Sequence, residues 1–83
     1  MKTFELQPEN RKSFYGKAKV LQTPEGNLYL KSYDTNVATY TKDKTFEVVK
    51  DESLLTNTTL RHITAFRLYL GLPKLTKKQL IEL

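Results

Sequence analysis

From residue 17 the chain alternates polar and apolar positions, Lys17 and Lys19 against Ala18 and Val20. A repeat of two sends successive side chains to opposite faces, so the segment predicts a strand. Thr23-Pro24-Glu25-Gly26-Asn27 predicts a turn, because proline presets one φ and Gly26 or Asn27 accepts a positive one. Residues 28–33 read as the returning strand, with Leu28, Leu30 and Ser32 on one side and Tyr29, Lys31 and Tyr33 on the other. Asp34-Thr35-Asn36 predicts a second turn and residues 37–41 a third strand, rich in β-branched and aromatic side chains. Lys42-Asp43-Lys44 makes a third turn, and residues 45–49 a fourth strand. Upstream, Phe4 and Leu6 fit one side of a short edge strand that Pro8 would end; a partly ordered arm fits equally well.

Near residue 54 the period becomes helical. Thr59, Ile63, Phe66 and Leu70 recur at spacings of four and three and share a stripe, with Leu60 and Leu68 on its flanks. Thr56, Asn57 and Thr58 all have cap chemistry, so this cluster marks a helix start. Gly71 suits a left-handed position after the last turn, and Pro73 prevents continuation. Thr76-Lys77-Lys78-Gln79 matches the capping box, so a short helix over 77–83 should follow, with Leu80, Ile81 and Leu83 available for docking. The fold class is α+β: a small antiparallel meander of three to four strands on one main helix, plus a short C-terminal helix. Residues 1–12 form the arm or edge strand, and 13–83 a single compact domain.

The 83 residues allow one domain with a modest core. No cysteine is present, which removes disulfide and thiolate chemistry and mildly favours the cytosol. Lys2 is not followed by an apolar run, and no segment approaches the ~20 apolar residues of a membrane span. The expected location is therefore the cytoplasm, with no membrane partner. A net charge of +5 suits solubility and favours polyanions without proving one.

Enzyme chemistry finds little support. A structural zinc site needs four Cys or His ligands, and the chain holds one histidine. Asp51-Glu52 reads as a solvated loop pair, so neither metal nor cofactor is expected. A Ser13–His62 or Ser53–His62 couple would need geometry that an inventory does not supply. Gly16, Gly26 and Gly71 are too far apart for a phosphate loop. The segment "LRHITAF" resembles the Leu-Arg-His box of tyrosine recombinases. That family has a histidine three positions before the arginine, where this chain has Thr58, and a far larger domain. The match is coincidental, and no catalytic residue is expected.

Basic and aromatic residues interleave more suggestively. Lys17, Lys19, Tyr29, Lys31 and Tyr33 sit on strand positions that a hairpin can bring together, with Arg11, Lys12 and Tyr15 just before them. Lysines neutralise phosphates and exposed tyrosines stack on unpaired bases. Tyr–Lys packing is also ordinary on the wet face of a sheet. Lys74, Lys77 and Lys78 form a second basic group at the start of the terminal helix. His62 reads first as a packed structural histidine. Alternatively Arg61 and His62 together anchor a phosphate or carboxylate, or Arg61 ties the helix to Asp34 or Asp51.

Three pieces in order, "SFYGKAKV" (13–20), "LYLKSYDTNVATY" (28–40) and "TNTTLRHITAF" (56–66), resemble small uncharacterised proteins of phages, plasmids and other mobile elements of Gram-positive bacteria. The matching residues are Phe14 to Ala18, then Ser32, Tyr33, Thr35, Val37 and Ala38, then Thr58, Thr59, Arg61, His62 and Ile63. After Phe66 the chain departs from that pattern with Leu72-Pro73 and the capped tail. The resemblance implies a bacterial host cell and a regulatory or host-interacting role, but no mechanism. The leading expectation is a non-enzymatic accessory protein binding DNA or RNA through Lys17, Lys19, Tyr29, Lys31, Tyr33 and Arg61. The alternative is a protein-binding modulator of a host or phage enzyme, using the same face or an apolar patch at Leu72, Leu75 and Leu80. Homodimerisation through that patch or a sheet edge is a third way to use the surface.

Overall fold

The computed structural model describes residues 2–6 and 16–83. Five strands, β1 (Lys2–Glu5), β2 (Ala18–Gln22), β3 (Leu28–Ser32), β4 (Thr35–Tyr40) and β5 (Phe46–Val48), form one antiparallel sheet in chain order. Two helices follow, α1 (Asn57–Tyr69) and α2 (Lys77–Ile81). The α+β meander is as the alternation predicts, with one strand more than expected. The extra strand is the N-terminal segment, which takes the edge-strand alternative. Phe4 pairs with Val20, and Leu6 continues the pairing through its N–H to Ala18 O at 2.9 Å.

Register puts Phe4, Val20, Leu30, Ala38 and Val48 in one cross-strand row on the helix side. Leu28, Tyr40 and Phe46 make a second row there. Against these rows α1 buries Thr59, Ile63 and Phe66, as its stripe predicts. It also buries His62, Ala65 and Arg67, while Leu68, expected to widen the apolar surface, is exposed. A bulge opposite Leu30 and Lys31 inserts Val37 between Asn36 and Ala38. Both Val37 and Ala38 are consequently buried, which strict alternation forbids.

Thr56 caps α1, its hydroxyl accepting from Thr59 N, and Gly71 takes φ +80 after the last turn. Thr76 and Gln79 complete the predicted capping box of α2. That five-residue helix seats Leu80 in the core and Ile81 against it, but leaves Leu83 exposed.

The turn between β3 and β4 differs from its prediction. It is Tyr33-Asp34, with Tyr33 at φ +57, rather than Asp34-Thr35-Asn36. A left-handed φ in a two-residue hairpin usually calls for glycine or asparagine. Here Tyr33 is held by its N–H to Lys17 O at 2.7 Å and by ring contacts described below.

Candidate nucleic-acid interface

The helices cover one face of the sheet. Among the described residues nothing covers the other. Its register rows are Glu5, Lys19, Lys31 and Asn36, and Thr3, Leu21, Tyr29, Thr39 and Glu47. Lys19 and Lys31 stand directly opposite one another near the middle of the sheet. Tyr29 lies half-buried in the adjacent row, opposite Leu21 and Thr39. Like charges placed opposite across strands destabilise a sheet, so this pair favours an anion over it. Glu5 stands opposite Lys19, yet its carboxylate turns toward Gly16. A Cβ on Gly16 would lie 2.8 Å from Glu5 Oε1, and Gly16 itself has φ +76.

The structure brings together only part of the expected site. Lys19, Tyr29 and Lys31 share the open face. Tyr33 does not, because its left-handed φ takes it out of the alternation that put it beside Tyr29 and Lys31. Its ring lies 5.9 Å from that of His62, and Lys17 Nζ lies 5.5 Å from its centroid. Lys17 and Tyr33 thus form a separate group at the end of the sheet, covering a histidine of α1. Arg61 is exposed on α1, in the layer on the other side of the sheet. It makes no ion pair with Asp34 or Asp51 among the described residues, and Asp51 instead accepts from Ser53 N and Oγ. Arg11, Lys12 and Tyr15 lie outside the described residues.

Arg61 and His62 are not a pair. One is exposed and the other is 1 % exposed. His62 Nδ1 lies 2.7 Å from Ser32 Oγ, which lies 3.0 Å from Thr59 Oγ1. Thr56 Oγ1 extends this chain to Thr59 Oγ1 at 3.3 Å. Ser32, rather than Ser53, is the serine that hydrogen-bonds the histidine among the described residues, and Ser13 lies outside them. Ser32, Thr59 and His62 are buried, and their hydrogen bonds specify how α1 seats on β3. Burial first, and the nearby Lys17 charge second, hold the imidazole pKa below its usual 6.5. Sequence reading missed the network, although its signal is present. Ser32 shares the apolar side of its strand, and His62 follows Thr59, a member of the stripe, by one helical turn.

Of the second basic group, Lys74 and Lys78 are exposed, while Lys77 pairs with Glu52 at 3.6 Å. Among the described residues no group of three or more His, Cys, Asp or Glu could hold a metal ion. No helix there is long and apolar enough to cross a membrane. A hollow of about 210 Å³ between β4 and β5, bordered by Asn36, Thr39 and Glu47, is smaller than pockets that enclose a drug-sized ligand.

A family model described as "Family of unknown function (DUF8033)" matches residues 4–82. The chain belongs to the DUF8033 family. No curated protein and no solved structure matches it. The DUF8033 match runs from β1 into α2, so the capped tail lies inside the family's span and is not an addition peculiar to this chain.

Proposed function

We propose that this DUF8033 protein is a non-enzymatic accessory or regulatory protein of a phage or mobile element, acting in the bacterial cytoplasm by binding nucleic acid. The open sheet face is the binding surface. The observation that carries the reading is the directly opposed Lys19–Lys31 pair beside Tyr29 on that face. A backbone phosphate over the two ammonium groups relieves their repulsion, and the Tyr29 ring offers one base a stacking partner. With one tyrosine on the face instead of two, charge carries more of the binding than stacking does. Single strands suit such a surface better than a duplex, whose bases are already stacked.

Fluorescence anisotropy with labelled single-stranded DNA, duplex DNA and RNA, each over a salt series, tests this. Binding should weaken linearly in log K against log salt, and single strands should bind more tightly than duplex. Absence of binding to all three at low salt sinks the proposal. In that event the protein-binding alternative leads, for a specific reason. Leu68 and Tyr69 are 42 % and 57 % exposed at the end of α1, with the Phe4 ring 5.2 Å from Tyr69. This apolar group replaces the expected patch, since Leu80 is buried and Leu72 and Leu75 are half-buried.

A further inference from the structure

Arg67 occupies the last turn of α1 and is only 7 % exposed. Its guanidinium carbon lies 4.6 Å from the centre of the Phe46 ring. Its Nε donates to Pro73 O at 2.7 Å. The ring and the carbonyl hold the guanidinium from two sides. Neither contact supplies a negative charge, and no carboxylate pairs with Arg67 among the described residues, where the ion pair is Lys77 with Glu52. Removing a cation from water without giving it an anion is costly. Burial accordingly pulls the Arg67 pKa below its usual value.

The other end of the group is not sealed. Every fully buried side-chain nitrogen or oxygen among the described residues has a hydrogen-bond partner. Arg67 makes its hydrogen bond through Nε. Nη1 and Nη2 therefore each keep some contact with solvent, two donor nitrogens on a guanidinium held at Nε. That fork matches the paired oxygens of a carboxylate or phosphate. The Pro73 carbonyl leads directly into the exposed Lys74, which brings a second positive charge to the same loop.

We propose that the outer edge of Arg67 is an oxyanion-binding site at the junction of α1, β5 and the loop before α2, taking a carboxylate or phosphate group presented by a ligand or partner. This site lies on the helix-bearing side of the sheet and is independent of the Lys19–Lys31 face. It gives a buried arginine the anion that the described fold lacks.

Arginine side-chain NMR on the intact protein tests it, with Arg61 as an exposed reference on the same helix. Inorganic phosphate, sodium acetate and sodium chloride are titrated at matched ionic strength. The Arg67 guanidinium signals should shift saturably with phosphate or acetate, more than those of Arg61, and not with chloride. The salt that responds names the oxyanion. Shifts of Arg67 that match those of Arg61, or that chloride reproduces, overturn the site. A second measurement follows the Lys74 amide in Arg67→Lys, which keeps the charge and loses the fork. The apparent affinity should fall roughly tenfold, and an unchanged affinity overturns the proposal. Replacing Lys19 and Lys31 by glutamine should leave the Arg67 titration as it was, which separates this site from the nucleic-acid face.

Discussion

At the scale of single residues, His62 and Lys44 make opposite predictions. Burial first, and Lys17 second, disfavour the His62 cation in the folded protein and lower its pKa. The unfolded chain has an ordinary imidazole and takes up a proton first as pH falls. Stability is therefore level above about pH 6.5 and declines below it, toward the depressed folded pKa. Urea midpoints at pH 8 and pH 5.5 should show the decline, and His62→Gln should flatten it. A wild-type midpoint no lower at pH 5.5 would contradict the lowered pKa of the buried imidazole. Ser32→Ala strips Nδ1 of its 2.7 Å partner and should cost about 1–3 kcal/mol in urea unfolding. Lys44, by contrast, is exposed at φ +66. A left-handed φ costs a side-chain-bearing residue about 1–2 kcal/mol, and glycine returns part of that in unfolded-chain entropy. Lys44→Gly should therefore raise the thermal midpoint, by a net gain of roughly 0.5–1 kcal/mol.

At the scale of elements, the caps decide how the helices join the sheet. Five residues cannot sustain α2 on propensity alone. It persists because Thr76 and Gln79 satisfy each other's backbone amides and Leu80 is anchored in the core. The Lys50 ammonium also donates to the Leu83 carbonyl, linking the exit of β5 to the end of α2. Thr76→Ala should thus destabilise the whole domain by about 0.5–2 kcal/mol rather than fray one helix. Hydrogen exchange would report this as faster exchange throughout the sheet as well as in α2. Exchange confined to α2 would show that Leu80 is not coupled to the rest of the core. In α1 the Thr56 cap has a second task. Its hydroxyl meets the Thr59 amide and also the chain running to Ser32 and His62. The start of this helix is thereby fixed to β3 by polar contacts at the same level as its apolar stripe.

At the scale of the whole molecule, the sheet has two unlike faces, and the proposed activity depends on the uncovered one. Lys19 and Lys31 oppose each other there at the expense of stability. Lys31→Glu should make the free protein more stable, by about 0.2–1 kcal/mol, while weakening its binding to single strands. Removing both lysines should lower the salt slope of binding to single-stranded DNA by about 0.7, the value for the one phosphate that is no longer neutralised. Tyr29→Thr exchanges the aromatic ring for a β-branched side chain of similar strand preference and should cost about 1–3 kcal/mol of binding if one base stacks there. Thermal melts and anisotropy on the same variants check all of this together. A Lys31→Glu protein that is both less stable and equally tight in binding would remove the reason for the pair.

How much of this was present in the linear chain follows from the range of the forces involved. Local pattern determined the strand periods, the Gly26 turn, the α1 stripe, the Gly71 exit and the Thr76 capping box, because each rests on residues within a few positions. The same pattern supplied Lys19, Tyr29 and Lys31 as one face, since alternation within β2 and β3 is local. Only the tertiary structure decided that residues 2–5 join the sheet, that Val37 bulges inward, and that Tyr33 leaves its strand to cover His62. The partners of His62 and Arg67 in the helix interface were decided there too, Ser32 for the histidine, 30 residues away, and Phe46 of β5 for the arginine. A polar side chain enters a core only where distant groups satisfy it, and a backbone adopts a strained φ only where distant contacts hold it. Those conditions are met in space, by residues that the linear order keeps apart.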